Sequence, residues 1–134
     1  MAGLIVEQKL ESLRRCLQRL QDKTPESAAA LSADPDAQDI LALNLTRAIQ
    51  RCVDIGSRLL AATDEPAPAT MGETFDALAR CGAVSEVTAH AMRRAVGFRN
   101  IAVHNYEAIN WDIVYAICRH HLDDFTRFAR EVAA

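Results

Sequence analysis

The residues best suited to chemistry lie in one segment, GFRNIAVHNY, which spans Gly97–Tyr106. Arg99 offers a guanidinium that can neutralise a phosphate, and His104 offers an imidazole that can move a proton near neutral pH. Tyr106 adds a phenol that can donate a hydrogen bond. The segment contains no acidic residue, so these groups are expected to have no acidic neighbour. This combination is typical of a site directed at a phosphodiester.

The spacing of these residues limits how their side chains can meet. Arg99 and His104 are five residues apart, which separates them by roughly 140° on an ideal helix. They converge only if the helix bends or ends between them, or if a second subunit supplies the partner. Arg99 and Tyr106 return to nearly the same face. The structural alternative is that Arg99 complements the negative end of its helix, while His104 and Tyr106 form a polar turn.

Three further polar residues could support the site. Asp54 lies beside the apolar stripe of a predicted helix and could orient a basic side chain of the segment. A salt bridge on the helix surface with Arg51 or Arg58 is the more common arrangement. Asn100 and Asn105 could hold phosphate or sugar, or could shape the end of the helix.

Other chemistries find no support in the sequence. His120 and His121 are adjacent, so on a helix they point about 100° apart, and no metal site is predicted. GxGxxG, Walker A, GxSxG and HExxH patterns do not occur, and no cofactor is expected. The four cysteines show no CxxC spacing and are expected to be reduced, mostly structural thiols.

The elements that must position these residues are helices. Apolar residues recur at helical spacing along nearly the whole chain, and the alternation typical of strands does not occur. Four main helices and one short helix predict an all-α, antiparallel four-helix bundle plus one short helix. The predicted helices run from about Val6 to before Thr24, from about 37 to 62, from about 73 to 80, from Ser85 to near 103–105, and from about 111 to 132 after an Asn110 cap.

Two polar segments interrupt this pattern without dividing the chain. Residues 24–38 are interpreted as a connector, although Glu26–Leu31 could form a turn or two of helix before Pro35. Thr63–Thr70 contains two prolines and is too short for a domain linker. With 134 residues in total, the chain is expected to form a single domain over residues 1–134.

The composition excludes several classes of protein. Half of the residues are hydrophobic and a quarter are charged, as in soluble globular proteins. The net charge is -3, so any contact with nucleic acid must be local. No apolar run approaches the roughly 18 residues of a transmembrane helix, and the first residues lack the basic region of a signal peptide. A cytoplasmic location without a membrane partner is expected.

The segment FRNIAVHNY, Phe98–Tyr106, resembles the Arg-x4-6-His motif of the HEPN superfamily. With a tyrosine two residues after the histidine, it resembles the Arg-x4-His-x-Tyr form of the HepT toxins. The similarity extends to the helix around Ala48–Gly56, to Gly72–Phe75, which is like the family's short third helix, and to Asp112–Tyr115, which is like the start of its last helix. It covers most of the chain.

This resemblance implies a ribonuclease toxin of a type VII-like toxin–antitoxin system, with the HEPN fold, that acts as a homodimer and brings both motifs into one cleft. Arg99 would bind the scissile phosphate. His104 would act as general base or acid when the ribose 2′-hydroxyl attacks, giving a cyclic phosphate without a metal. Tyr106 would be modified with AMP by an MntA-like nucleotidyltransferase antitoxin, and the added charge and bulk would exclude RNA.

A second hypothesis is a non-catalytic HEPN-type domain that serves a nucleotidyltransferase as a nucleotide-binding or docking partner. The complete Arg-x4-His-x-Tyr pattern argues against it, because docking alone would not require all three side chains. The hypotheses differ in one observable: only the ribonuclease requires that the isolated chain cleave RNA.

Overall fold

The computed structural model describes residues 3–134, and every regular element in that range is helical. The prediction of an all-α fold is confirmed. The range contains seven α-helices and one 3₁₀ turn: α1 (Leu4–Lys23), α2 (Ala28–Ser32), α3 (Pro35–Leu60), α4 (Met71–Arg80), α5 (Glu86–His104), the 3₁₀ turn (Tyr106–Ala108), α6 (Trp111–His120) and α7 (Asp123–Ala133). None of these helices combines the length and hydrophobicity that a bilayer crossing requires.

Side-chain caps determine where the helices begin. Asp34 accepts a hydrogen bond from the Ala37 amide at 3.1 Å, and Pro35 occupies the first turn, where its missing N–H costs nothing. α3 therefore begins at Pro35, slightly before the predicted start. The Asn110 side chain accepts hydrogen bonds from two backbone amides and begins α6, as predicted.

The segment interpreted as a connector contains a helix of its own. α2 is capped by Ser27, whose hydroxyl accepts a hydrogen bond from the Ala30 amide at 3.1 Å. Leu31 anchors α2 because its side chain is fully buried. The turn or two of helix that the sequence allowed is therefore present, shifted by one or two residues.

The prediction of one continuous last helix was wrong. The segment forms two helices, α6 and α7, which are separated by His121 and Leu122. Apolar spacing continues across this break, so periodicity could not reveal it. Asp123 and Asp124 occupy the first turn of α7, where negative charge is favourable. The bundle thus has seven helices where the sequence predicted four main helices and a short one.

α3 is the central helix of the bundle, since each of the other six described α-helices contacts it. Burying each large apolar side chain contributes roughly 1.5–3 kcal/mol relative to exposure, so α3 concentrates the burial that holds the fold together. Its most deeply buried side chains belong to Leu41, Leu45, Ala48, Ile49, Cys52 and Ile55.

The start of α5 is held by a carboxylate from α7. Glu131 accepts hydrogen bonds from the Ser85 amide at 2.8 Å and from the hydroxyls of Ser85 and Thr88 at 3.1 and 3.0 Å. Burial alone would raise the pKa of Glu131, but these hydrogen bonds and the charge of Arg127 outweigh it and lower that pKa. The helix that carries the motif is therefore anchored at its N-terminus by an ionised side chain.

All four cysteines lie within the described range and are free thiols. Cys16, Cys52 and Cys118 are buried, as expected of structural thiols, whereas Cys81 is exposed. Burial raises the pKa of Cys118 to about 12, so its unreactive thiol form persists near neutral pH.

Gly56 provides a test of how closely α3 and α4 pack. A methyl group at this position would lie 2.8 Å from Thr74 Cγ2 and 2.9 Å from Leu78 Cδ1, and both of those side chains are buried. We expect Gly56→Ala to lower the free energy of unfolding by about 1–3 kcal/mol, because the core must shift to accept the methyl group. Urea denaturation followed by circular dichroism measures this change.

Gly97→Ala is the matched control, because Gly97 is also helical and an added methyl group there meets nothing within 4 Å. It should raise the free energy of unfolding by about 0.5–1 kcal/mol through its better helix propensity. Equal effects of the two substitutions would contradict the packing described for Gly56.

Candidate active site

The motif helix α5 continues without a break from Arg99 to His104. Its last turn is closed by a hydrogen bond from the Asn105 amide to the Ile101 carbonyl at 2.8 Å. The helix does not end between the two residues, and on an ideal helix their side chains leave the axis roughly 140° apart.

Arg99 is half-buried, and its charge is not neutralised by the protomer. One guanidinium nitrogen donates to the Asn100 side-chain oxygen at 3.2 Å. The buried Nε finds no hydrogen-bond partner among residues 3–134. Arg99 makes no hydrogen bond with a carbonyl at the end of α5 within the described chain, whereas the turn that the structural alternative predicted after His104 is present as the 3₁₀ turn. The guanidinium is free to receive an anion.

His104 is the last residue of α5, and its side chain is exposed. The imidazole makes no hydrogen bond with any residue of the described range. Asn105 shapes the end of the helix through its backbone, since its carbonyl accepts a hydrogen bond from the Ala108 amide at 2.9 Å. The exposed position of His104 makes its side chain accessible to a ligand.

Tyr106 opens the 3₁₀ turn and lies against α3. Its hydroxyl donates to the Asp39 carboxylate at 2.5 Å, and its ring meets the edge of the Trp111 ring with centroids 5.8 Å apart. Burial of the phenol, together with the hydrogen bond and charge of Asp39, raises the pKa of Tyr106 to about 12. Because 39% of the residue is still exposed, a partner can reach the phenol.

The expectation that the three groups have no acidic neighbour was wrong. Asp39 precedes Tyr106 by 67 residues, and only the packing of α3 against the end of α5 brings the two together. In the sequence Asp39 belongs to an acid-rich start of a helix, so no local pattern marked it. It is the one residue of the site that sequence reasoning missed.

A surface cavity of about 390 Å³ lies beside this pair. Leu43 and Thr46 of α3 form one side, and Val103 and Tyr106 form the other. Val103 follows Arg99 by four residues, so the same stripe of α5 that carries Arg99 continues to the cavity. The cavity thus extends from Tyr106 to the stripe of α5 that carries Arg99.

Asp54 makes its contacts in the described chain with residues outside the motif. The Asp54 carboxylate accepts a hydrogen bond from the side-chain amide of Gln50 at 2.9 Å. It also lies 3.7 Å from Lys9 Nζ and 4.0 Å from Arg51 Nη1. The salt bridge with Arg51, which the sequence allowed as the alternative, is the arrangement found. Asp54 therefore ties α3 to α1 and does not contact the motif.

Known proteins resemble this chain in both sequence and fold. A relative named mRNA nuclease HepT, from Shewanella oneidensis, is 31% identical over 130 residues, which is 97% of each chain. A crystal structure of a toxin–antitoxin with AMP-PNP contains a chain with a TM-score of 0.92 at 29% identity. The tri-AMPylated HEPN toxin of Shewanella oneidensis in complex with its MNT antitoxin gives 0.92 at 30% identity. Both structural matches cover 98% of this chain and 98% of theirs.

The model of one family, described as Ribonuclease HepT-like, matches residues 11–132. This range includes the whole motif segment and all of α3. The resemblance seen in the sequence is thereby confirmed. The chain belongs to the ribonuclease HepT-like family.

Proposed function

We propose that this chain is a metal-independent endoribonuclease and the toxin of a toxin–antitoxin pair. The observation that carries the proposal is the unneutralised Arg99 guanidinium on the same short helical segment as an exposed His104. A relative with 31% identity is named an mRNA nuclease, which supports RNA as the substrate here. The Arg99 and His104 side chains are the two groups that an intramolecular cleavage of RNA requires.

In the proposed reaction the ribose 2′-oxygen forms a bond to phosphorus as the bond from phosphorus to the 5′-oxygen breaks. Arg99 binds the non-bridging oxygens and stabilises the charge that develops on them. His104 takes the proton of the 2′-hydroxyl or supplies the proton to the leaving 5′-oxygen, and water exchanges the other proton. The products are a cyclic phosphate and a 5′-hydroxyl, so DNA, which has no 2′-hydroxyl, is not a substrate.

The active form in this proposal is a homodimer. The continuous helix sends Arg99 and His104 in different directions, and a second copy would supply the missing group. Ile101 and Ile113, which are 43% and 54% exposed, border an apolar groove of about 390 Å³ between α5 and α6. Exposed apolar side chains beside the motif are suited to contact with another protein surface, and the proposal assigns them to the second copy.

Tyr106 is the proposed acceptor of AMP from a nucleotidyltransferase antitoxin. The phenol oxygen would attack the α-phosphate of ATP, pyrophosphate would leave, and Asp39 would accept the phenol proton across the existing hydrogen bond. The modified group would place negative charge and a nucleoside beside the motif, where both oppose RNA binding. A structural relative described as tri-AMPylated and in complex with an antitoxin supports this assignment.

Cleavage by single-site variants tests the ribonuclease. Purified without antitoxin, the parent chain should cleave RNA in the presence of EDTA. We expect His104→Ala to lower the rate by about 10²–10⁴-fold through loss of proton transfer, and Arg99→Ala by about 10²–10³-fold through loss of charge stabilisation. Gel analysis of a labelled RNA measures each rate.

The matched control is His120→Ala, which removes an exposed histidine from the end of α6. Its rate should equal that of the parent, and all three variants should keep the parental unfolding midpoint. Full activity in the Arg99 and His104 variants would refute the assignment, and a parent that cleaves no RNA would favour the docking hypothesis.

Intact mass spectrometry tests the modification. Co-expression with a nucleotidyltransferase encoded beside this chain should add the mass of one or more AMP units, and peptide mapping should place them on Tyr106. Tyr106→Phe should remove the gain, because no acceptor oxygen remains. Tyr115→Phe is the control, since the Tyr115 hydroxyl donates instead to the Glu26 carbonyl at 2.9 Å. Modification that persists in Tyr106→Phe would show that another residue is the acceptor.

A further inference from the structure

Four guanidinium groups line one concave surface between α1 and α3, away from the motif. This surface, which we name the arginine pocket, has a volume of about 320 Å³. Its polar lining consists of Ser12, Arg15, Arg19, Asn44, Arg47 and Arg51.

The positive charge of the arginine pocket is poorly balanced by the chain itself. Arg51 donates to the Ser12 hydroxyl at 3.0 Å and lies 4.0 Å from the Asp54 carboxylate. The other three arginines form no ion pair with any residue of the described part of the chain. In a protein with a net charge of -3, four like charges in one concavity repel one another, and a bound anion would offset this repulsion.

The Cys16 thiol lies in the same pocket and is affected by this charge. Burial raises the pKa of Cys16, while the charges of Arg51, Arg47 and Arg15 act in the opposite direction. Arg15, Arg47 and Arg51 come from two helices and line the same concavity as this sulfur. The cluster is therefore a local concentration of charge rather than a set of separate surface residues.

We propose that the arginine pocket binds a phosphate of the RNA substrate other than the scissile one; this inference rests on the proposed ribonuclease function. Guanidinium groups present forked donors that match phosphate oxygens. A small concave site surrounded by several such donors fits a phosphodiester better than it fits the flatter acidic surface of a folded protein. The contact is independent of sequence, because only the RNA backbone is recognised.

The position of the pocket agrees with a single RNA strand that reaches both places. Leu43 and Thr46 line the cavity beside Tyr106, whereas Asn44 and Arg47 line the arginine pocket, so α3 separates the two surfaces by its own width. Asp39 and Arg47 are eight residues apart, or about 12 Å along the helix axis. A strand that crosses α3 there would place its scissile phosphate at the motif and another phosphate among the arginines.

RNA affinity tests this inference. In a His104→Ala background, which prevents cleavage, fluorescence anisotropy with a labelled single-stranded RNA measures the dissociation constant over a range of salt concentrations. We expect Arg19→Gln with Arg47→Gln to weaken binding by about tenfold and to reduce the slope of log K against log salt by about 1. Arg14→Gln with Arg130→Gln removes the same charge from two exposed positions outside the pocket and should weaken binding less than twofold.

A dinucleotide substrate, which contains only the scissile phosphate, separates this inference from the proposed function. With His104 intact, the double pocket variant should cleave the dinucleotide at the parental rate and longer RNA with a raised KM. Unchanged RNA affinity in the pocket variant would overturn the inference and leave the ribonuclease intact. Loss of antitoxin binding with unchanged RNA affinity would assign the pocket to a protein partner. Absence of RNA binding by the His104→Ala chain itself would overturn both proposals.

Discussion

The continuity of α5 is the constraint on which the account of the site depends. On a helix without a break, Arg99 and His104 leave the axis in directions roughly 140° apart, which is why the proposed site is assigned to two copies. α5 is held in this form by the carboxylate of Glu131 at its start and by Met92 and Val96, which are buried in the core. In the proposed homodimer, a continuous helix of this kind would couple the chemistry to assembly, because each copy would contribute to the same cleft.

The hydrogen bond between Tyr106 and Asp39 connects this helix to the rest of the bundle. It joins the turn after α5 to α3, which itself contacts every other described helix. Attachment of an adenylyl group would replace the hydroxyl hydrogen of Tyr106, so the hydrogen bond to Asp39 would be lost. It would also bring a phosphate beside the Asp39 carboxylate. Repulsion between these charges would direct the nucleotide away from α3. In this proposal, catalysis and its regulation both use neighbouring residues of one short segment.

Local signals in the sequence predicted most of the fold, whereas contacts between distant helices could not be predicted. Asn110 marked the start of α6 because capping is a property of adjacent residues. The division between α6 and α7 was missed because the apolar spacing continues through His121. Asp39 and the arginine pocket were missed because tertiary packing alone brings their members together from separate helices. The catalytic roles of Arg99 and His104 remain predictions from the motif.

The most direct test of the central claim is complementation between two inactive chains. Arg99→Ala and His104→Ala, each inactive alone, would be co-expressed with different affinity tags, and the mixed dimer would be isolated through both tags. Our account predicts that the mixed dimer regains RNA cleavage, since one protomer supplies Arg99 and the other supplies His104 to the same cleft. A mixed dimer as inactive as either variant, although folded and dimeric, would contradict a site shared between two copies.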